Sequence, residues 1–577
     1  MLATALAACL LSASRAAAAP KNPDAFVYLD IAEADSLDPA WPIELVSQGV
    51  ILSIYETLFD FDGPRLVPRL AARVPGRANG LISPDGRTYR IPIRRGVKFS
   101  DGAPLTAEDA RYSILRFILQ DRDGGPSAAL LEPLLGVRST RDGRGVPRAD
   151  LAARAERAVT TEGDDLVLHL PKPYAPLLAI LASKAPVVSR NWAVAHGDWD
   201  GSPAAWTRFN NPRKQDSPFF AAANGSGPYR LERWDRTAKE LVLVRNDAYR
   251  GPPARLRRVV LRVIPEFATR KLLLEGGDAD AISADVGNLS RLRGLPGVRL
   301  RDDLPSPGIE PVAYFNFRIN PQANPFIGSG RLDGDGIPSD FFADKDVRLA
   351  FAQAFDYKTF IADVYAGRAV QATGCLPRGI LGHNPAQPVF SYDPDAASAH
   401  LRKAFGGKLW DRGFRFTLAV NSGNASRRTL AAMYKRSLES LNPKFRVDLR
   451  EMEWPSYLDA VAARRTPLMI FNLSADYPDP HSIVSDIMQS QGGQASAQGY
   501  ADPEADRLVA AALAETDLEK RRGLYVRLQK IEHEDVPHLL FVESDAFRVE
   551  RGWLRGAEYN PLSVNPHFEK LDKEETR

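Results

Sequence analysis

Thr88-Tyr89-Arg90-Ile91-Pro92-Ile93-Arg94-Arg95-Gly96-Val97-Lys98-Phe99-Ser100-Asp101-Gly102-Ala103-Pro104-Leu105-Thr106-Ala107-Glu108-Asp109 holds the reading that decides the fold class. Thr88 to Ile93 alternates with the period of a strand, Asp101-Gly102 signals a turn, and Thr106 opens a helix. Its acid at the third position, Asp109, is a capping-box signature, with Tyr112, Leu115 and Phe117 as the apolar residues behind it. A strand feeding a helix within about 20 residues is the unit of an α/β protein.

The same alternation extends outward in both directions. Upstream, Ala25 to Ile31 is strand-like, Asp35-Ser36-Leu37-Asp38-Pro39 is a turn, and Ile43 to Phe59 has helical spacing. Downstream, Leu166–Leu170, Leu241–Val244, Val259–Ile264, Phe416–Val420 and Leu468–Leu473 read as strands. Val347, Ala350, Phe351, Ala354 and Phe355 share a helix face, Arg427–Leu441 is helical, and Leu508–Leu540 is mostly helical. Residues 124–154, rich in Gly, Arg and Asp, read as a surface excursion. At 577 residues this describes α/β lobes on mixed sheets rather than one core.

Composition narrows the function classes. Lys and Arg number 75 against 72 Asp and Glu, a net charge of +3 with no basic run, so a nucleic-acid partner is not expected. Residues 1–13 are apolar or small and Ala16 to Ala19 is an all-Ala run, which reads as a secretory signal cut after Ala18. Leu6-Ala7-Ala8-Cys9 spells a lipobox but lies inside the apolar core, so lipid anchoring at Cys9 is not expected. Cys375 is then the one remaining thiol and reads as a small buried residue.

Tempting catalytic signals fail on spacing. Gly225-Ser226-Gly227 and Gly328-Ser329-Gly330 lack the pattern of a nucleophile elbow. Asp333-Gly334-Asp335-Gly336 is short of calcium ligands, and His533 with His538 does not form a zinc pair. The sequence therefore points away from an enzyme and implies no cofactor or metal.

Several of these segments also resemble, in order and wording, family 5 of the bacterial extracellular solute-binding proteins. The resemblance is carried by Asp35–Pro39, Tyr55-Glu56-Thr57-Leu58, Asp85–Tyr89, Arg94–Gly102 and Leu105–Asp109. It continues through Asn224-Gly225-Ser226-Gly227-Pro228-Tyr229, Arg245–Tyr249, Val347–Ala350 with Asp356, Gly367, and Asp476-Tyr477-Pro478-Asp479-Pro480.

The resemblance implies a two-lobe, type II periplasmic-binding-protein-like α/β fold, in its large variant with an extra small domain and a ligand cleft between the lobes. Lobe I would comprise residues 24–61, 187–300 and 535–577, the small domain 62–186 and lobe II 301–534. The implied function is the extracytoplasmic, periplasmic substrate-binding component of an ABC importer for oligopeptides or peptide-like solutes. The protein would be a monomer, with the permease subunits as partners. Alternatives are an opine, sugar or metal-chelate ligand on the same scaffold, an exported peptidase, or a sensory receptor.

For the site, the resemblance implies that Asp476 pairs with a peptide's α-amino group; capping the following helix is the alternative. Asp479 is a second candidate, or a turn acid. Asn472, Ser474 and Tyr477 flank the same strand end, and Trp454 is either a pocket wall or a core residue. The backbone at Glu33, Ala34 and Asp35 is placed to extend a peptide as a strand. Arg378, His383 and Arg318 are the cations available for a carboxylate, and no motif selects among them.

Overall fold

The fold is described from a computed structural model, over residues 19–31, 33–41, 45–122, 125–284, 286–306, 308–422, 424–452, 454–563 and 565–574. The expected signal segment and Cys9 lie outside the described residues. No helix among the described residues is long and apolar enough to cross a membrane.

A seven-stranded mixed sheet organises the first lobe, in the order Val298–Leu304, Ala546–Arg551, Ala281–Ile282, Ala25–Asp30, Arg258–Val263, Glu240–Arg245, Tyr229–Asp235. The N-terminal strand is central and runs parallel to both neighbours. Its alternation sorts the two faces. Val27 and Leu29 pack with Leu274 and Val549 on one side, while Phe26 joins the large core on the other. A three-stranded sheet, Thr88–Pro92, Asp165–His169 and Val159–Glu162, carries the small domain. The helix Ala107–Gln120 covers it, and its first turn is held as expected: the Asp109 carboxylate accepts from the Thr106 N–H at 2.9 Å.

The second lobe is built on Leu468–Ser474, Gly308–Phe315 and His538–Leu540, together with the parallel pair Phe414–Asn421 and Phe445–Met452. The helix Ala425–Leu441 connects that pair, as parallel neighbours require. An aromatic core including Phe315, Phe342, Phe351, Phe416 and Phe541 fills the space behind.

Two expectations need correction. Residues 124–154 are not simply a surface loop: the helix Ala128–Leu135 buries Leu130, Leu131, Leu134 and Leu135 against the core of the first lobe. The return to the first sheet also comes later than residue 535. His538–Leu540 and Val542–Ser544 still pair with second-lobe strands, and the chain rejoins the large sheet only at Ala546. It therefore passes between the two sheets after Leu304 and again at Asp545.

Several quoted motifs meet in two buried polar clusters. Asp38 grips Arg116 through both oxygens at 2.7 and 2.6 Å, and the Arg116 Nε donates to Asp198 at 2.6 Å. Glu56 accepts from Arg69, Arg250 and Ser226. Gly225 is fixed by close approach: a Cβ there would stand 2.1 Å from the Ile54 carbonyl oxygen. These residues hold the turn after the first strand in place, and that turn frames the site.

Candidate functional site

A cavity of about 590 Å³ lies between the large sheet and the helix Leu45–Ile54. Tyr28, Leu261 and Phe547 form its sheet side, Val46, Gly49 and Val50 its helix side, and Glu33 and Ala34 also line it. Glu33 and Ala34 are held there because the chain leaving the first strand is fastened just beyond them. The Asp35 N–H donates to Ser47 Oγ at 2.8 Å, and the Asp38 Oδ1 accepts from the Ala40 N–H at 2.9 Å.

The polar groups of the cavity come from distant segments. Arg548 lines it and donates to the Glu558 carbonyl at 2.9 Å; burial holds its guanidinium below the ordinary value against the pull of Glu550. Burial, with Asp30 nearby, pushes the Tyr28 phenol up. Glu33 Oε1 and Ser283 Oγ are buried and have no hydrogen-bond partner among the described residues. None of these groups except Glu33 was anticipated. Phe26, Tyr28 and Asp30 do share one face by strand period, whereas Ser283 and Arg548 carry no motif and meet only through sheet order.

The Asp476 loop lies elsewhere, at the end of the strand Leu468–Ser474, where Ser474 is opposite Gly308. The Asp476 N–H donates to Ser482 Oγ at 2.8 Å, leaving the carboxylate exposed. Lys184, from the N-terminal part of the chain, feels that carboxylate: burial lowers its ammonium below the usual range and Asp476 opposes the shift. Burial raises Asp486, and Asp476 adds to the rise. Two second-lobe carboxylates and one cation from the other side thus share this region. Lys184 and Asp486 carry no motif and were not foreseen.

Asp479 is not open to a ligand. Both oxygens accept from Arg521, at 2.6 and 2.7 Å, and Oδ1 also accepts from the His481 N–H at 2.9 Å. It is a turn acid that neutralises a guanidinium reaching in from the helix Leu518–Asp535. Tyr477 is buried and joins the first-lobe core, beside Tyr174. There the lobes touch directly: the Ala175 N–H donates to the Leu513 carbonyl at 2.9 Å, and Tyr174 meets His481 edge-on at 5.7 Å.

The remaining candidates are scattered. Asn472 is exposed and accepts from Arg427 at 3.0 Å; Ser474 is exposed at the strand end. Asp35 faces outward and pairs with Lys214. Trp454 begins the helix Trp454–Ala462, but its side chain lies outside the described residues. Among the cations, His383 Nδ1 is engaged with the Leu376 carbonyl at 2.8 Å, and Arg318 is exposed. Arg378 pairs with Asp545 at 2.9 Å and so reaches the cavity rim, which Asp545 lines.

Two α/β lobes joined by two passages of the chain, with a cavity of small-molecule size in the first and an acidic loop on the second, define a solute-binding protein of the two-lobe type II class. The family model described as bacterial extracellular solute-binding proteins, family 5, middle region, matches residues 65–495, and the chain belongs to that family. It is 24% identical over 553 residues to the probable D,D-dipeptide-binding periplasmic protein DdpA of Escherichia coli K12, covering 95% of this chain and 93% of that protein. Among solved structures it is similar to the periplasmic binding protein DppA of Helicobacter pylori in complex with the peptide STSA. That match has a TM-score of 0.69 and 21% identity, and covers 95% of this chain and 98% of the other. The oligopeptide-binding protein AppA of Bacillus subtilis, in complex with a nonapeptide, matches with a TM-score of 0.69 and 19% identity, over 96% and 100% of the two chains.

Proposed function

We propose that this protein is the extracytoplasmic substrate-binding component of an ABC importer and captures peptides or peptide-like solutes between its lobes. The observation that carries the reading is Asp476, a carboxylate exposed at a loop of the second lobe and within electrostatic reach of the first-lobe Lys184. An ammonium arriving as the lobes close would pair with the exposed Asp476 carboxylate, and a charge-assisted bond in a drying cleft fixes register. The names of the relatives support peptides as the solute class.

In this reading the lobes hinge at the passages after Leu304 and at Asp545, with residues 24–61, 187–304 and 545–577 in lobe I, 62–186 in the small domain and 308–544 in lobe II. Residues 1–18 direct export to the periplasm, and the permease reads the closed form.

Native mass spectrometry of protein purified from its own host tests the solute class. Peptide masses are expected; a sugar or metal chelate in their place overturns the assignment. Asp476→Ala is expected to weaken a free-amine peptide by about 2–5 kcal/mol, with stability unchanged. Wild-type affinity in that variant would remove Asp476 from the site.

A further inference from the structure

We propose that the first-lobe cavity is a specificity pocket for a bulky apolar group carrying an N–H or ammonium donor, which Glu33 accepts. The proposal rests on the reading of the chain as a solute-binding protein, but not on the solute being a peptide.

Protein interiors close over voids of this kind, because side chains interdigitate to crystal-like density. Here about 590 Å³ stays open beside Phe26, Tyr28, Trp234, Leu241 and Phe547, a size within the range of small-molecule sites. Small residues keep it so. Gly49 sits inside the helix Leu45–Ile54, where glycine is a poor helix former. The packing does not require it: an added Cβ would meet only Pro566, at an ordinary 3.7 Å. Ala34, Ala281 and Ala284 also line the cavity. What glycine provides at position 49 is space.

The polar lining specifies the donor. Asp30 accepts from the Ile31 N–H at 2.7 Å, Asp545 from Arg378 at 2.9 Å, and Arg262 Nε donates to Glu240 at 2.8 Å. Arg548 is held by the Glu558 carbonyl. Of the buried polar atoms, Glu33 Oε1 and Ser283 Oγ are left over, while Lys239 lines the cavity from its exposed rim. A buried carboxylate oxygen accepts and cannot donate when ionised, and leaving it unpaired is costly. The group that fills the apolar space must therefore bring a donor to it. Apart from Ser544, the end of a strand paired in the second lobe, and Asp545 at the passage, the lining residues belong to the first lobe, so the pocket is nearly complete without the body of the second lobe.

Calorimetric titration of the purified protein with 1-naphthylmethylammonium and with 1-naphthylacetate tests this directly. The ammonium should bind one per chain, and at least tenfold more tightly than the carboxylate. Gly49→Leu, which fills the space while improving the helix, should weaken the ammonium at least tenfold without lowering the melting temperature. Glu33→Gln should erase the preference between the two probes. Wild-type binding in Gly49→Leu, equal affinity for the two probes, or no binding of either overturns the proposal. A non-peptide aryl amine co-purifying from the host would refute the peptide reading and leave this one standing. Peptides bearing a bulky apolar residue that bind Gly49→Leu and wild type equally would refute this one alone.

Discussion

Replacing Asp479 by Ala separates a residue that builds the site region from Asp476, the one proposed to touch the ligand. The substitution strands Arg521, whose side chain is only 4% exposed and whose partner supplies both carboxylate oxygens at 2.6 and 2.7 Å. Removing one member of a buried pair costs about 3–5 kcal/mol, because the other charge remains desolvated. The lost bond from the His481 N–H, which opens the next helix, falls within that range. For a lobe of this size about 2–4 °C is lost per kcal/mol, so the second-lobe transition should fall by roughly 6–20 °C. Thermal and urea unfolding measure this, with calorimetric titration of ligand into the protein that remains folded. Affinity should stay near wild type, whereas Asp476→Ala should show the reverse pattern. Asp479→Ala combined with Arg521→Met should recover much of the stability, since replacing both buried charges is far milder than orphaning one. If Asp479→Ala melts within about 2 °C of wild type and loses the ligand, Asp479 is a ligand group and the assignment made from its geometry is wrong.

Three further outcomes follow from the same structure. Arg116→Met leaves Asp38 and Asp198 buried without their cation and should cost about 3–5 kcal/mol at neutral pH. Burial alone would raise the Asp38 carboxyl, but Arg116, Ser217 and the Ala40 N–H hold it below its ordinary value. That stabilisation is present above pH about 4 and is lost as pH falls further, so the gap between variant and wild type should narrow in acid; a gap constant from pH 7 to 3 would refute the pairing. Burial lowers His481 to about 4 from 6.5, so its contribution is full above pH 6.5 and declines as pH falls toward 4, by roughly 3 kcal/mol. His481→Phe should remove that decline, read as urea midpoints at pH 7.5 and 4.5; an unchanged slope counts against it. Gly225→Ala, with its Cβ 2.1 Å from the Ile54 oxygen, should cost about 3 kcal/mol by denaturant titration, and wild-type stability would show that the two segments are not packed together as described.

Features set by neighbouring residues were legible without the structure. The strand at Thr88–Pro92, the capping box at Thr106 and Asp109, and the apolar face of Val347, Ala350 and Phe351 depend on periods of two and 3.6 and on contacts within one turn. The same local grammar misread residues 124–154, where Gly and Arg at the flanks hid a leucine-rich helix. It placed the lobe boundary at 535, because nothing local says which sheet a short strand such as His538–Leu540 will join.

What the sequence determined by itself was the alternation of strands and helices, the family, and the position of Asp476 in a proline-bounded loop. Tertiary structure alone decided that Asp479 is spent on Arg521, 42 residues away, and that Lys184 comes within electrostatic reach of Asp476. It also decided that Glu33, Ser283 and Arg548 line one cavity. The physical reason is the range of the forces involved: backbone periodicity acts over a few residues. Ion pairing, burial and the inserted strand Ala546–Arg551 join residues that only the folded topology makes neighbours.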